Sequence, residues 1–213
     1  MSAVLNCNIT FIGGGNMAQA LIGGLIARGM PTTRITVADP FENVRQLLQE
    51  KDVHVTDDNI AAIEKADIVV LAVKPQVLAS VLKQLHGLLD GKLVISIVAG
   101  AEIATMATLS GTERIVRVMP NTPALVQTGA HGLYATDVVD AKDRELASQV
   151  LAATGLTIWV NSEAQIDAVT AVSGSGPAYF FYMMESMIRA GKNLGLDEKV
   201  ATALTLQTAL GAA

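Results

Sequence analysis

Apolar residues along the chain follow two rhythms, and the rhythm changes near residue 162. Before that point, short blocks rich in β-branched residues alternate with longer amphipathic stretches. The blocks predict strands at Ile9–Ile12, Arg34–Asp39, Val53–Val55, Asp67–Val73, Leu93–Val98 and Arg114–Met119. The stretches between them predict helices over Asn16–Arg28, Phe41–Lys51, a capped segment from Thr56-Asp57-Asp58 through Lys65, Gln76–Leu89 and Glu102–Leu109. Asp67–Val73 is apolar almost without interruption, as in a parallel strand buried on both faces. Strand–helix alternation implies an α/β chain with a right-handed, doubly wound parallel sheet. Gly129–Ala135 and Gly155–Val160, flanking a helix at Ala141–Ala153, extend its edge.

From Glu163 onward the spacing is helical almost throughout. Phe180, Phe181, Tyr182, Met183, Met184 and Met187 form an apolar surface of the kind used for core or subunit contact. Ser173-Gly174-Ser175-Gly176-Pro177 is expected to interrupt the helix, with Pro177 in the first turn of the next one. The boundary is placed near Asn161–Glu163, dividing the chain into 1–162 and an all-helical 163–213.

Gly13-Gly14-Gly15-Asn16-Met17-Ala18 sits between the first strand and the first helix, with Gly13, Gly15 and Ala18 at G-x-G-x-x-A spacing. Gly13 permits the tight turn, Gly15 lets a diphosphate approach the backbone, and Ala18 lets helix and strand pack closely. The helix N-terminus would hold the diphosphate. In this context Ile12–Met17 read as a dinucleotide clamp and residues 1–162 as a Rossmann-type unit; the competing reading is a purely steric turn. Asp39 ends the second strand 24 positions after Gly15, where a carboxylate would bind an adenosine ribose and repel a 2′-phosphate. Asp39-Pro40 also suits an ordinary turn and helix cap. The choice between NADH and NADPH therefore stays open, since Arg34 or Arg45 would offset Asp39. Asn59, at a helix start, is a further candidate for the adenosine half.

Three other loops fall at predicted strand ends. Ala72-Val73-Lys74-Pro75 and Ile97-Val98-Ala99-Gly100 suit the nicotinamide half, beside the switch point of such a sheet. Met119-Pro120-Asn121-Thr122-Pro123 suits the substrate, with Asn121 hydrogen-bonding substrate or carboxamide. Lys74 is the one catalytic candidate, and a solvated strand-end lysine is an equal reading. No nucleophile–base pair is evident, and His54, His86 and His131 lack partners at ligand spacing, so no metal is expected.

Composition narrows the class. Charged residues make up 16%, apolar ones 51%, and the net charge is −5, which argues against a nucleic-acid or anionic-membrane partner. A lone Cys7 excludes a disulfide framework and fits a reducing compartment. No apolar run reaches membrane-spanning length and no leader precedes the first strand, so a cytoplasmic protein is expected.

The combination of Phe11–Ala18, Ala72–Pro75, Val98–Gly100, Met119–Pro123 and Val172-Ser-Gly-Ser-Gly-Pro-Ala-Tyr179, in this order, closely resembles Δ1-pyrroline-5-carboxylate reductase. The resemblance implies NAD(P)H-dependent reduction of the cyclic imine to L-proline, the last step of proline biosynthesis. It implies homodimers formed through the helical region, which often assemble into decamers. The substrate would lie against Met119, Asn121, Thr122, Pro123, Ser173, Gly174, Ser175 and Gly176, its carboxylate on backbone N–H groups at the Ser173–Gly176 helix start. Family members carry a later Ser-Pro-Gly-Gly-Thr-Thr signature that does not occur here, and Ala209–Ala213 closes in mid-helical pattern, so a longer parent is expected. Two rivals are weighed. A β-hydroxyacid dehydrogenase would place a Lys shortly after the glycine turn, whereas Pro177, Ala178 and Tyr179 follow here and the next Lys is Lys192. A non-catalytic dinucleotide-sensing module would not need the three additional loops.

Overall fold

The computed structural model describes residues 5–212. The expectations on the first four residues and on Ala213 lie outside the described residues. Eight strands form one sheet: β1 (Ile9–Ile12), β2 (Ile35–Ala38), β3 (His54–Thr56), β4 (Ile68–Leu71), β5 (Leu93–Ser96), β6 (Ile115–Met119), β7 (Gly129–Ala135) and β8 (Gly155–Trp159). Their order is β3-β2-β1-β4-β5-β6-β7-β8. The first six are parallel, so their carboxyl ends share one edge, and the order reverses between β1 and β4. The helices are α1 (Asn16–Ala27), α2 (Glu42–Gln49), α3 (Asn59–Ile63), α4 (Pro75–Gln84), α5 (Ile103–Ser110) and α6 (Ala141–Ala152). In the last part of the chain α7 (Gln165–Val169), α8 (Gly176–Asn193) and α9 (Glu198–Ala212) follow.

Alternation along each strand explains the unbroken apolar runs. Phe11, Val70 and Ile95 face one apolar layer with Leu21 and Leu25 of α1 and Leu48 of α2. Ile12, Val69, Leu71 and Val94 face the other, with Leu78 and Leu82 of α4 and Met106 of α5. Both faces are covered, so the central strands are mostly apolar, and Thr10, Ser96 and Arg117 are the buried polar exceptions named on β1, β5 and β6.

β7 and β8 extend the sheet edge as expected. β7 runs antiparallel to β6. The connection holds only a short 3₁₀ turn, Thr122–Val126, too little chain for the crossover that a parallel neighbour requires. α6 then makes such a crossover, and β8 pairs parallel with β7. α4 stops at Gln84 rather than Leu89, because Gly87 adopts φ +74° and its N–H turns to the Ser110 carbonyl.

The interruption expected at Ser173–Pro177 takes the form of a π turn followed by Ser175, which belongs to neither helix. α7 continues through one π turn, Thr170–Gly174, into α8, and the residues flanking that turn keep right-handed helical dihedrals. Pro177 does stand in the first turn of α8. The helical segment is also tied firmly to the sheet. Glu163 Oε1 accepts the Ile103 N–H at the start of α5 (2.7 Å) and pairs with Arg117 of β6 (2.9 Å).

Candidate active site

The glycine turn is held from below. Gly13 N–H donates to the Ala38 carbonyl (2.7 Å), which ties β1 to the end of β2. Gly13 has φ +97°, and a Cβ there would meet the Ala72 carbonyl oxygen at 2.6 Å. Only glycine suits this crevice between β1 and β4. Gln19, which sequence reasoning missed, donates its side-chain amide to the Gly14 carbonyl at 2.8 Å.

Gly15 is exposed and caps α1 with no side-chain hydrogen bond, and the first turn of α1 carries no acidic residue. A Cβ on Gly15 would meet nothing within 4 Å. An uncapped twelve-residue helix therefore points its free N–H groups into open space beside the turn. A diphosphate fits this cradle, so Gly13–Met17 are suited to hold the central part of a dinucleotide.

The other predicted loops stand on the same edge. Ala72–Pro75 follow β4, with Pro75 in the first turn of α4 and Lys74 exposed as its N-cap. Lys74 has no ion-pair partner among the described residues. Ile97–Gly100 follow β5, where Ala99 and Gly100 are exposed and Val98 is buried. Asn59 lies at the same edge, but its amide donates to Gln84 Oε1 at 2.9 Å.

Asp39 occupies the predicted place with a different set of partners. It is 7% exposed; Oδ2 accepts the Gly14 N–H (2.8 Å) and Oδ1 accepts the Phe41 N–H (2.9 Å). Both carboxylate oxygens thus serve the protein's own backbone: the Phe41 contact is the expected local turn, the Gly14 contact is long-range, and α2 itself takes Phe41 as N-cap without a side-chain cap.

Asn121 departs further from expectation. It is buried, its Oδ1 accepts the Ala130 N–H (2.8 Å), and its Nδ2 donates to the Ser173 carbonyl (3.0 Å). In an α-helix that carbonyl would accept from residue 177, but Pro177 has no N–H. Asn121 supplies the missing donor across the seam. The free N–H groups expected at Ser173–Gly176 are likewise reduced, because Ser175 N–H donates to the Thr170 carbonyl in the π turn (2.8 Å).

The remaining substrate candidates do converge. Met119 packs on Gly174, where a Cβ would meet its methyl at 2.7 Å. Asn121, Pro123, Ser173, Gly176 and Pro177 line a cleft of about 300 Å³ together with Phe180 and Phe181. Thr122 is exposed on the same loop.

Nearby, His131 of β7 is buried, its Nε2 within 3.0 Å of Thr154 Oγ1 and its Nδ1 unpartnered among the described residues. Burial lowers its pKa to about 4, which keeps the ring neutral.

Comparison with known proteins agrees with this layout. Residues 8–100 match the family described as NADP oxidoreductase coenzyme F420-dependent, and residues 163–213 match pyrroline-5-carboxylate reductase dimerisation. The chain is 50% identical to pyrroline-5-carboxylate reductase of Pseudomonas aeruginosa, over 96% of this chain and 76% of that protein. It is 47% identical to the Haemophilus influenzae protein of the same name, again over 96% and 76%. Among solved structures, the reductase from Coxiella burnetii superposes with TM-score 0.93 at 45% identity, covering 98% of this chain and 78% of that one. The Plasmodium falciparum pyrroline carboxylate reductase with NADP bound superposes at TM-score 0.87 and 32% identity, with the same coverage.

Proposed function

The chain belongs to the pyrroline-5-carboxylate reductase family, and we infer that it reduces 1-pyrroline-5-carboxylate to L-proline with a hydride from NAD(P)H. The observation that carries this reading is the convergence of four strand-end loops on one sheet edge, facing the π turn. The reduced nicotinamide supplies the hydride; the protein orients the reactants and excludes water. Gly13–Met17 hold the diphosphate, Ala72–Pro75 and Ile97–Gly100 pack the nicotinamide half, and the adenosine lies towards Asp39 and Asn59.

The substrate lies against Met119–Pro123 and Ser173–Gly176. Within this loop Asn121 positions rather than binds, since both ends of its amide hold protein backbone. The imine carbon becomes electrophilic when its nitrogen is protonated, which an imine of this class achieves in water. An enzymic acid is then not required, and Lys74 serves as a charge anchor at the rim for substrate carboxylate or cofactor. Residues 1–162 form the cofactor unit and 163–213 the helical unit. The reading includes a cytoplasmic homodimer formed through α8 and α9, with further assembly into a decamer.

The test is a turnover assay with pyrroline-5-carboxylate, following consumption of NADPH and NADH separately and identifying proline as product. Consumption of neither cofactor would overturn the reading.

A further inference from the structure

We propose that Arg45 is the side chain that selects a 2′-phosphorylated adenosine ribose, and that Asp39 takes no part in that selection. The proposal rests on the dinucleotide site inferred above and is independent of the imine substrate.

An acidic residue at the end of the second strand ordinarily accepts from the ribose hydroxyls and repels a 2′-phosphate. Asp39 is turned away from that task. Its two oxygens accept the Gly14 and Phe41 amides, and its own N–H donates to the Thr56 carbonyl at 3.0 Å. A carboxylate held between two backbone donors has part of its charge met by their dipoles. The electrostatic argument for NADH therefore loses its main support. What Asp39 does instead is fix the position of Gly14, and so the shape of the phosphate turn.

Two arginines stand near in sequence, and the fold separates them. Arg34 closes a 3₁₀ turn that precedes β2, which puts it at the amino-terminal edge of the sheet. Four strand residues, roughly 13 Å, lie between it and the cofactor edge. Arg45 stands in the first turn of α2, and its Nη1 donates to the Asp39 carbonyl at 2.8 Å. That bond fixes the guanidinium at the carboxyl end of β2, where adenosine lies in a sheet of this strand order. Arg45 is half-buried and has no ion-pair partner among the described residues. Glu42, one turn back, is occupied with the Gln46 amide. A pinned guanidinium with its remaining donors unspent is suited to a phosphate, and offers a hydroxyl far less.

The experiment measures dissociation constants for NADPH and NADH without substrate, by fluorescence of the reduced nicotinamide. Arg45→Gln is expected to weaken NADPH by about 10- to 100-fold. NADH should change by no more than about threefold, and Arg45→Lys should recover part of the loss. Adenosine 2′,5′-bisphosphate should compete with NADPH better than 5′-AMP in the unaltered protein, and lose that advantage in Arg45→Gln. Asp39→Asn, which cannot accept two amides, should weaken both cofactors alike. Equal weakening of both by Arg45→Gln, or a shift in preference towards NADPH in Asp39→Asn, would overturn the proposal. So would an unaltered protein that binds the two cofactors equally. Arg45 lies on a helix surface, so its variants remain informative if Asp39→Asn does not fold. A protein without reductase activity would still yield these constants, so the two readings fail separately.

Discussion

The sheet and the last two helices treat their large apolar side chains in opposite ways. Ile9, Phe11 and Leu71 are fully buried, whereas Phe180, Tyr182 and Leu210 are 68%, 69% and 72% exposed. Met183 and Leu204 add to the exposed set at 62% and 56%. The first region completes its own core. The second carries half of one, and a contiguous apolar surface of this kind on a helical pair is an interface. The match of residues 163–213 to a dimerisation family says the same from a different direction. Cofactor binding and self-association thus draw on separate stores of apolar surface, and each can be attacked alone.

The largest expected effect is on the exposed half. Tyr182→Glu combined with Met183→Glu should weaken self-association by roughly 100-fold or more, read by light scattering, while the NADPH dissociation constant stays within about twofold. Parallel loss of cofactor binding would collapse the distinction. The converse attack is Gly24→Val inside the first core, where a Cβ would collide with the Ala153 carbonyl oxygen. It should cost about 3 kcal/mol in denaturant unfolding.

Asn121 sits on the seam between the two regions. Asn121→Ala strands the Ala130 N–H and the Ser173 carbonyl, for an expected loss of about 2 kcal/mol. Asn121→Asp keeps the acceptor for Ala130 but sets a second acceptor against the Ser173 carbonyl in a buried site, and should lose at least as much. The last effect, spread over a range of pH, is a pH dependence of the sheet region. His131 has a folded pKa of about 4 against an ordinary 6.5, so only the unfolded chain takes up its proton between those values. Its contribution to stability is intact above pH 6.5 and falls as pH drops towards 4, with a slope of about one proton. His131→Gln should flatten that slope in acid-unfolding titrations.

Much of the sheet was legible because its signals are local. Apolar blocks ending in Gly13, Asp39, Lys74 and Gly100 marked the strand ends, and the glycine spacing marked the phosphate turn. What sequence reasoning missed depends on distant partners. The reversal of β7 has no signature in its alternation, since a strand pattern reads the same in both directions. Gly-Ser-Gly-Pro does mark an interruption, but not its form: the donor that replaces the missing Pro177 N–H comes from Asn121, 52 positions away from the carbonyl it serves. Asp39 was ambiguous for the same reason: its partner Gly14 is 25 positions distant, and both readings want a carboxylate at that spot. The local turn was already visible in Asp39-Pro40; the long-range contact to Gly14 was not, and the expected cap did not form.

The π turn at Thr170–Gly174 has a consequence for α8. It contains one residue more than the surrounding helix needs, so every side chain after it is rotated by about 100° relative to an uninterrupted α-helix. Deleting one residue there would remove the surplus without removing a single apolar group from α8, although Pro177 would still prevent a regular helix at that point. It would nevertheless swing Phe180, Tyr182 and Met183 by more than a quarter turn around the rod. The azimuth at which one subunit offers itself to another is thereby set by a single surplus residue next to the cleft that Asn121 and Ser173 line.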